Sequence, residues 1–262
     1  MAVVTGNLIA EFIGKLAKTG TAPGNNADPT STWDNVVTAG KDGALSNFAY
    51  STTSGWAGDG TAGNPYRLCL DADATVLTTV AETENGARSY EFWVKAVTAN
   101  TGILDTKRIL FSHAAQWAGQ PSFETLESEG RPMFYAGSSN YRYWNPPTID
   151  VDDGNLHHWV VTIPGGAQND INSCILYIDG VAQGVSGGYA GSAMRAWGTA
   201  FRVGSPDTNY PSPLVGIATI RVYSDVLSSA EVTQNRDAGV LASSVDTTGC
   251  PKMTDHYSRL RR

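Results

Sequence analysis

Three segments decide the fold: Gly154-Asn155-Leu156-His157-His158-Trp159-Val160-Val161-Thr162, then Cys174-Ile175-Leu176-Tyr177-Ile178-Asp179-Gly180-Val181, then Gly216-Ile217-Ala218-Thr219-Ile220-Arg221-Val222-Tyr223. The first is a strand carrying two adjacent histidines. The second is a hairpin closed by Asp179-Gly180, a dipeptide suited to the positive backbone angles of a two-residue turn. The third is an amphipathic strand that leads, after Leu227, into Ser228-Ser229-Ala230-Glu231. There Ser228 and Glu231 have the spacing of a capping box, which predicts one short helix over Ser229 to Ala238, stopped near Gly239.

The order and spacing of these segments resemble laminin G-like, concanavalin A-like lectin/glucanase jelly-roll domains, in which W-H-H-V-A, L-Y-V-D-G and G-x-I-D-E-V-R-I-Y-x-x-x-L-S-x-x-E-I recur in that sequence. Residues 89–95, Ser-Tyr-Glu-Phe-Trp-Val-Lys, are similar to that family's F-T-V-S-x-W-V-K strand. Residues 66–70 and 74–80, on either side of Asp71-Ala72-Asp73, resemble its L-D-G-x-D-D-Y-V and are expected to pair as strands. The resemblance spans about residues 40–240. It implies an all-β fold: an antiparallel β-sandwich jelly roll over residues 1–240 with one short C-terminal helix, followed by a basic tail or docking segment at 241–262. The fold hosts lectins, glycosidases, adhesion modules and virion proteins, so function has to come from particular residues.

Alternation gives the remaining strands. Tyr90, Phe92 and Val94 share one face and Glu91, Trp93 and Lys95 the other. Further strands are expected at Leu8–Ile13, 108–113, Ser122–Leu126, 132–135 and Tyr141–Trp144, each bounded by turn-forming residues. Phe92, Val94, Trp159, Val161, Leu176, Ile178, Ile220 and Val222 are the expected core.

A net charge of −7 argues against general affinity for nucleic-acid phosphate. The charge is uneven: residues 251–262 hold Lys252, Arg259, Arg261 and Arg262 against Asp255 alone, so the body is more acidic than the whole. Cys69, Cys174 and Cys250 are too few and too scattered for a disulfide framework. The first twenty residues lack a basic leader, and their apolar run is broken by Glu11 and Lys15, so neither an export signal nor a membrane span is expected. Three explanations stay open: a leader already removed, work inside the cell, or release as part of a virus particle.

The residues that could carry chemistry favour binding over catalysis. His157 and His158 point to opposite faces of one strand and cannot jointly hold an ion. They are expected to be structural, one hydrogen-bonded at the sandwich wall and the other near the surface. Glycosidases of this fold place two carboxylates on one face, but in Glu124-Thr125-Leu126-Glu127-Ser128-Glu129 the spacing puts Glu124 and Glu127 on opposite faces. Only Glu127 and Glu129 share one, at the edge of a turn. No enzyme is therefore expected, and no cofactor or metal. Asp150-Val151-Asp152-Asp153-Gly154 lacks the glutamate of a calcium loop at its twelfth position, and Ala218 and Thr219 replace the acids in the family's G-x-I-D-E. Asp71 and Asp73 remain as calcium suspects, with a hydrogen-bonded turn around them the favoured expectation. Tyr and Trp stack on sugar rings, which makes Trp117, Tyr141, Tyr143 and Trp144 the candidate glycan-binding residues, with Trp56 in similar loop-like sequence; strand alternation is expected to bury about half of the aromatics at 141–144.

Two function classes follow. The first is a non-catalytic structural protein of a virus particle, a bacteriophage capsid decoration or surface protein whose partners are a capsid protein or neighbouring copies of itself. Met253, Tyr257, Arg259, Leu260, Arg261 and Arg262 would dock the tail onto an acidic surface. The second is a carbohydrate-binding or adhesion module of a secreted bacterial protein, with surface glycans as partners. Neither engages nucleic acid or membrane.

Overall fold

The computed structural model of the chain describes residues 1–14, 32–37, 41–51, 53–71, 75–78, 86–96, 108–113, 121–126, 131–137, 140–148, 151–165, 170–191, 201–205 and 212–244. In chain order the strands begin with β1 (Leu8–Ile13), β2 (Thr32–Trp33), β3 (Gly43–Ser46), β4 (Gly55–Ala57), β5 (Arg67–Cys69), β6 (Thr75–Thr78), β7 (Arg88–Ala96), β8 (Arg108–Ser112) and β9 (Ser122–Leu126). They continue with β10 (Arg131–Tyr135), β11 (Tyr141–Trp144), β12 (Leu156–Ile163), β13 (Ile175–Ile178), β14 (Val181–Ala182), β15 (Val185–Tyr189), β16 (Phe201–Gly204) and β17 (Val215–Tyr223), and end in the helix α1 (Ser229–Ala238).

Among the described residues these strands make two antiparallel sheets. The first has eight strands in the order β14-β13-β12-β7-β17-β5-β4, with β1 also paired to β17; the second has nine, in the order β15-β11-β10-β9-β8-β16-β6-β3-β2. All eight expected core residues lie in the cluster between the sheets, joined there by Phe12, Trp33, Trp56, Phe111, Phe123, Trp144 and Phe201. Tyr90 and Phe92 stack on Phe111 at centroid distances of 4.5 and 5.5 Å, tying β7 of one sheet to β8 of the other.

Local signals in the sequence are realised closely. Ile178 pairs with Val181 across Asp179 and Gly180, whose φ values of 50° and 80° are those of a two-residue hairpin turn matched to strand twist. Ser228 accepts from the amide of Glu231 and the Glu231 carboxylate accepts from the amide of Ser228, so both halves of the capping box form. Gly239, at φ 86°, stops the helix. One expectation fails: the segments flanking Asp71 do not pair. β5 joins β4 and β17 in the first sheet, while β6 joins β3 and β16 in the second. The connection crosses between sheets, and a local pattern of two short apolar runs does not distinguish a crossover from a hairpin.

The outer face of the first sheet is buried as well. Leu227 and Val232, on and before α1, pack with Val4 over Val160, Tyr177 and Tyr223, forming a second, smaller core. Beside it runs a row of charge. Glu11 on β1 lies opposite Arg221 on β17, which lies opposite Glu91 on β7, and all three are fully buried. Arg221 donates through Nε to Glu11 at 2.7 Å, through Nη1 to Glu91, and through Nη2 to the carbonyl of Ala242 at 2.6 Å. Glu91 also accepts from Asn235 of α1 at 2.7 Å and from Tyr223 at 3.2 Å. The second Glu11 oxygen accepts from the Ser244 amide at 2.9 Å, and Thr219 donates to the carbonyl of Val240 at 3.0 Å. Residues 240–244 therefore belong to the folded body, and a boundary at Val240 cuts through this network.

Both histidines are buried, which corrects the expectation that one would lie near the surface. His158, on the outer side, has Nε2 3.1 Å from Glu91 and its ring under Trp93 at 4.9 Å. His157 sits between Asp179, 2.8 Å from Nδ1, and Asp153, 3.1 Å from Nε2. A carboxylate beside each nitrogen favours the protonated imidazole, which can donate to both, and suits a structural role.

Burying a charged row makes it sensitive to which partner is removed. Arg221→Met, which leaves two buried carboxylates without a cation, should lower the unfolding free energy by about 3–5 kcal/mol in urea titrations, and adding Glu11→Leu and Glu91→Leu should recover most of that loss. The pH profile should fall on both sides. Burial pushes the Glu91 carboxyl up, but the Arg221 charge and the adjacent His158 outweigh it and hold the pKa at about 2 against an ordinary 4.5. Its contribution is thus complete above 4.5 and disappears as pH drops through about 2. The hydrogen bond to Asp179, opposed by burial and aided by Asp153, raises His157 above 6.5, so its contribution is complete below 6.5 and is lost as pH rises through the elevated value. Unfolding midpoints measured across pH should show the alkaline decline flattened in His157→Gln and the acid decline retained.

Candidate functional site

Strand alternation sorts the aromatics of β11. Trp144 faces inward, is fully buried and lies 6.2 Å from Phe123 in the core. Tyr141 and Tyr143 face outward and are partly exposed, their rings 4.9 Å apart. Register extends this pair across neighbouring strands, because residues directly opposite one another share a face. Tyr141 is opposite Tyr189 on β15 and Tyr135 on β10; Tyr135 is opposite Ser122, Ser122 opposite Ser112, and Ser112 opposite Arg202. The outer face of the second sheet thus carries a polar row that begins with three tyrosines. Tyr189, 53% exposed at the sheet edge, has its ring 6.3 Å from that of Tyr141.

Two glycines shape β15 at this edge. Gly187 lies opposite Tyr143, and a Cβ there would come no closer than 3.9 Å to its ring. Gly188 has no such room: a Cβ would fall 2.7 Å from the carbonyl oxygen of Tyr141, so only glycine lets β15 approach β11 there. The register shifts between Tyr143 and Trp144, which bends this edge strand.

One carboxylate shares the face. Glu124 on β9 is fully buried opposite Met133, which is opposite Tyr143, and it accepts from the Ser122 hydroxyl at 2.6 Å. Among the described residues of the second sheet it is the sole acid, and the neighbouring Glu127 and Glu129 lie outside the described residues. Acid–base glycoside hydrolysis requires a second carboxyl about 5–9.5 Å away.

Of the expected site residues, then, Tyr141 and Tyr143 come together on one face, while Trp144 is a core residue and offers no stacking surface. Trp56 is likewise fully buried, on β4, with its ring edge-on to Trp33 at 5.2 Å. Trp117, Met253, Tyr257, Arg259, Leu260, Arg261 and Arg262 lie outside the described residues, as does Asp73. Among the described residues no cluster of histidine, cysteine or acidic side chains could hold a metal ion. Burial raises the thiol pKa of Cys69 and pushes that of Cys174 up to about 12, leaving both unreactive. No described helix is long and apolar enough to cross a membrane. Tyr135 and Tyr189 are the members of the site that sequence reasoning did not select. The signal for Tyr189 was the alternation of β15, which its two glycines obscure.

The architecture is shared with known proteins of low sequence identity. A Trypanosoma rangeli sialidase in complex with the inhibitor DANA superposes with a TM-score of 0.57 at 13% identity, over 92% of this chain and 34% of the sialidase. The receptor-binding domain of botulinum neurotoxin type G gives 0.54 at 10% identity, over 88% of this chain and 51% of that one. The binding domain of botulinum neurotoxin DC, in complex with SialylT, gives 0.55 at 9% identity over the same shares. The chain therefore spans about a third to a half of these proteins, and the likeness is one of fold. None of the curated proteins matches it by sequence. The family model for the concanavalin A-like lectin/glucanases superfamily, in its laminin G form, matches residues 70–233, which contain β7, the histidine strand, the hairpin and the start of the capped helix, and the chain belongs to that family.

Proposed function

We propose that this protein is a non-catalytic carbohydrate-recognition domain that reads saccharides with the outer face of its second sheet. The row Tyr189, Tyr141 and Tyr135, with Tyr143 beside it, carries this reading: tyrosine rings present flat apolar faces that stack on sugar rings and carry a polar tip. Beyond the tyrosines the row continues into Ser122, which is buried and bonded to Glu124, so the accessible part of the face is its tyrosine end. Among the described residues Glu124 has no second carboxylate on this face, which supports binding over hydrolysis. Two solved neighbours, a sialidase in complex with the inhibitor DANA and a neurotoxin binding domain in complex with SialylT, are consistent with a saccharide ligand.

On a glycan array the protein should bind a restricted set of saccharides, and Tyr141→Ala or Tyr189→Ala should weaken that binding about tenfold, a loss on the order of 1.4 kcal/mol. Tyr189→Ala should leave stability within about 0.5 kcal/mol. Trp144→Ala should instead cost about 3–5 kcal/mol of stability as a core cavity. Binding that survives both tyrosine changes would refute the assignment of this face.

A second reading, a structural protein on the surface of a virus particle, is favoured by the charge distribution, with Lys252, Arg259, Arg261 and Arg262 following an acidic body. Arginine's planar fork suits carboxylates on a capsid protein or a neighbouring copy. The two readings are compatible, since a displayed domain can also bind glycans. Because Glu11 and Arg221 depend on residues 242–244, the informative truncation is after Ser244. That truncation should preserve the melting temperature and abolish incorporation into particles, whereas truncation after Val240 should also destabilise the fold. Full occupancy of particles by the shorter chain would rule out the tail as anchor.

A further inference from the structure

Arg142 lies between Tyr141 and Tyr143 on β11, and alternation turns its side chain to the opposite side of the strand, that of Trp144. It is directly opposite the core residue Phe134 on one side and Gly188, which has no side chain, on the other. Burial is the largest influence on the guanidinium and pulls its pKa below the ordinary value, and the only group opposing it is the thiol of Cys174. Its Nε is sealed from solvent with no acceptor, although the residue as a whole keeps partial exposure. Among the described residues the Arg142 side chain makes no hydrogen bond and no ion pair. This sets it apart from the buried Arg221, which meets two carboxylates.

A guanidinium cannot shed its proton in a protein, so partial loss of water without an anion is a standing cost. Two residues along the same side of β11, the Nε1 of the fully buried Trp144 also lacks an acceptor, as do those of Trp56, Trp93 and Trp159. One acid lies nearby, Asp170 at the start of the 3-10 turn, whose charge reaches Cys174, but among the described residues no carboxylate pairs with the Arg142 guanidinium. The 3-10 turn Asp170–Ser173 packs against both β11 and β15, so Arg142 sits at the rim where these three pieces meet.

We propose that Arg142 binds an oxyanion carried on a saccharide, either the carboxylate of an acidic sugar or a sulfate ester, at the rim formed by β11, β15 and the 3-10 turn. Both anions present coplanar oxygens to the guanidinium fork. The saccharide part of this inference rests on the carbohydrate reading of the tyrosine face; the anion part does not. The two sites lie on opposite sides of the same edge strand pair, so a branched or extended acidic glycan could engage both.

The test observes the guanidinium directly. In nitrogen-edited NMR of the full chain, the Arg142 Nε–H resonance should shift on titration with inorganic sulfate and with glucuronate, and should not shift with glucose or with chloride at matched ionic strength. N-acetylglucosamine 6-sulfate, compared with glucuronate, shows which anion is preferred. Arg142→Gln should weaken glucuronate binding about tenfold or more, and Arg142→Lys, which keeps the charge without the fork, should retain part of it. Tyr141→Ala should leave the sulfate response intact while weakening glucuronate, so the tyrosine face and the anion site can fail separately. A resonance that responds to no oxyanion beyond the chloride control would overturn the proposal, and because this is read on the wild-type protein it holds even if a variant does not fold.

Discussion

Arg221, closed off from water, is tolerable only because carboxylates flank it on both sides, and much of the molecule's outer layer follows from that requirement. Its two partners come from strands at either side of β17, one near the N-terminus and one in the middle of the chain. Register alone brings them into line, so a slip of one residue in either β1 or β7 would turn a carboxylate toward the apolar core and leave the guanidinium unmatched. The row acts as a check on strand pairing as well as a bond. It also recruits what covers it: Asn235 fixes the helix over Glu91, while Ala242 and Ser244 fix the segment after the helix over Arg221 and Glu11.

The two sheets consequently differ in what their outer faces can do. That of the first is spent on stability, roofed by α1 and the terminal segments and filled with Tyr177, Val160 and Tyr223 alongside the charged row. That of the second keeps partly exposed tyrosines at its β15 edge, where two glycines remove bulk and a register shift bends the strand. A bent, glycine-bearing edge is a poor template for another strand. The same features that keep the tyrosines accessible therefore protect the edge from sheet-to-sheet aggregation.

Much of this was legible from residue patterns. Alternation in β7, β12, β13 and β17 identified the inter-sheet core, and Asp179-Gly180 and Ser228 to Glu231 each encode their local geometry within four residues. The charged row was not legible. Glu11 and Arg221 are 210 positions apart and Arg221 and Glu91 130 apart, and nothing local marks an alternating strand's second face as roofed. The crossing between β5 and β6 was missed for a related reason, since sheet membership is decided by distant partners. Half of the candidate site was found because Tyr141 and Tyr143 fall within one strand. Tyr135 and Tyr189 belong to it only through pairing, and Trp144 was misjudged because composition does not say which way a strand faces.

The seating of residues 240–244 gives the molecule a polarity. The described chain ends at Ser244 on the outer side of the first sheet, held by Glu11, while the tyrosines look out from the far side of the second. A label, a surface or a carrier attached directly after Ser244 would hold the domain from behind, with its aromatic side turned outward. Copies immobilised in that way would share one orientation, so an array of them would present a multivalent surface whose avidity is set by the spacing of the attachment points.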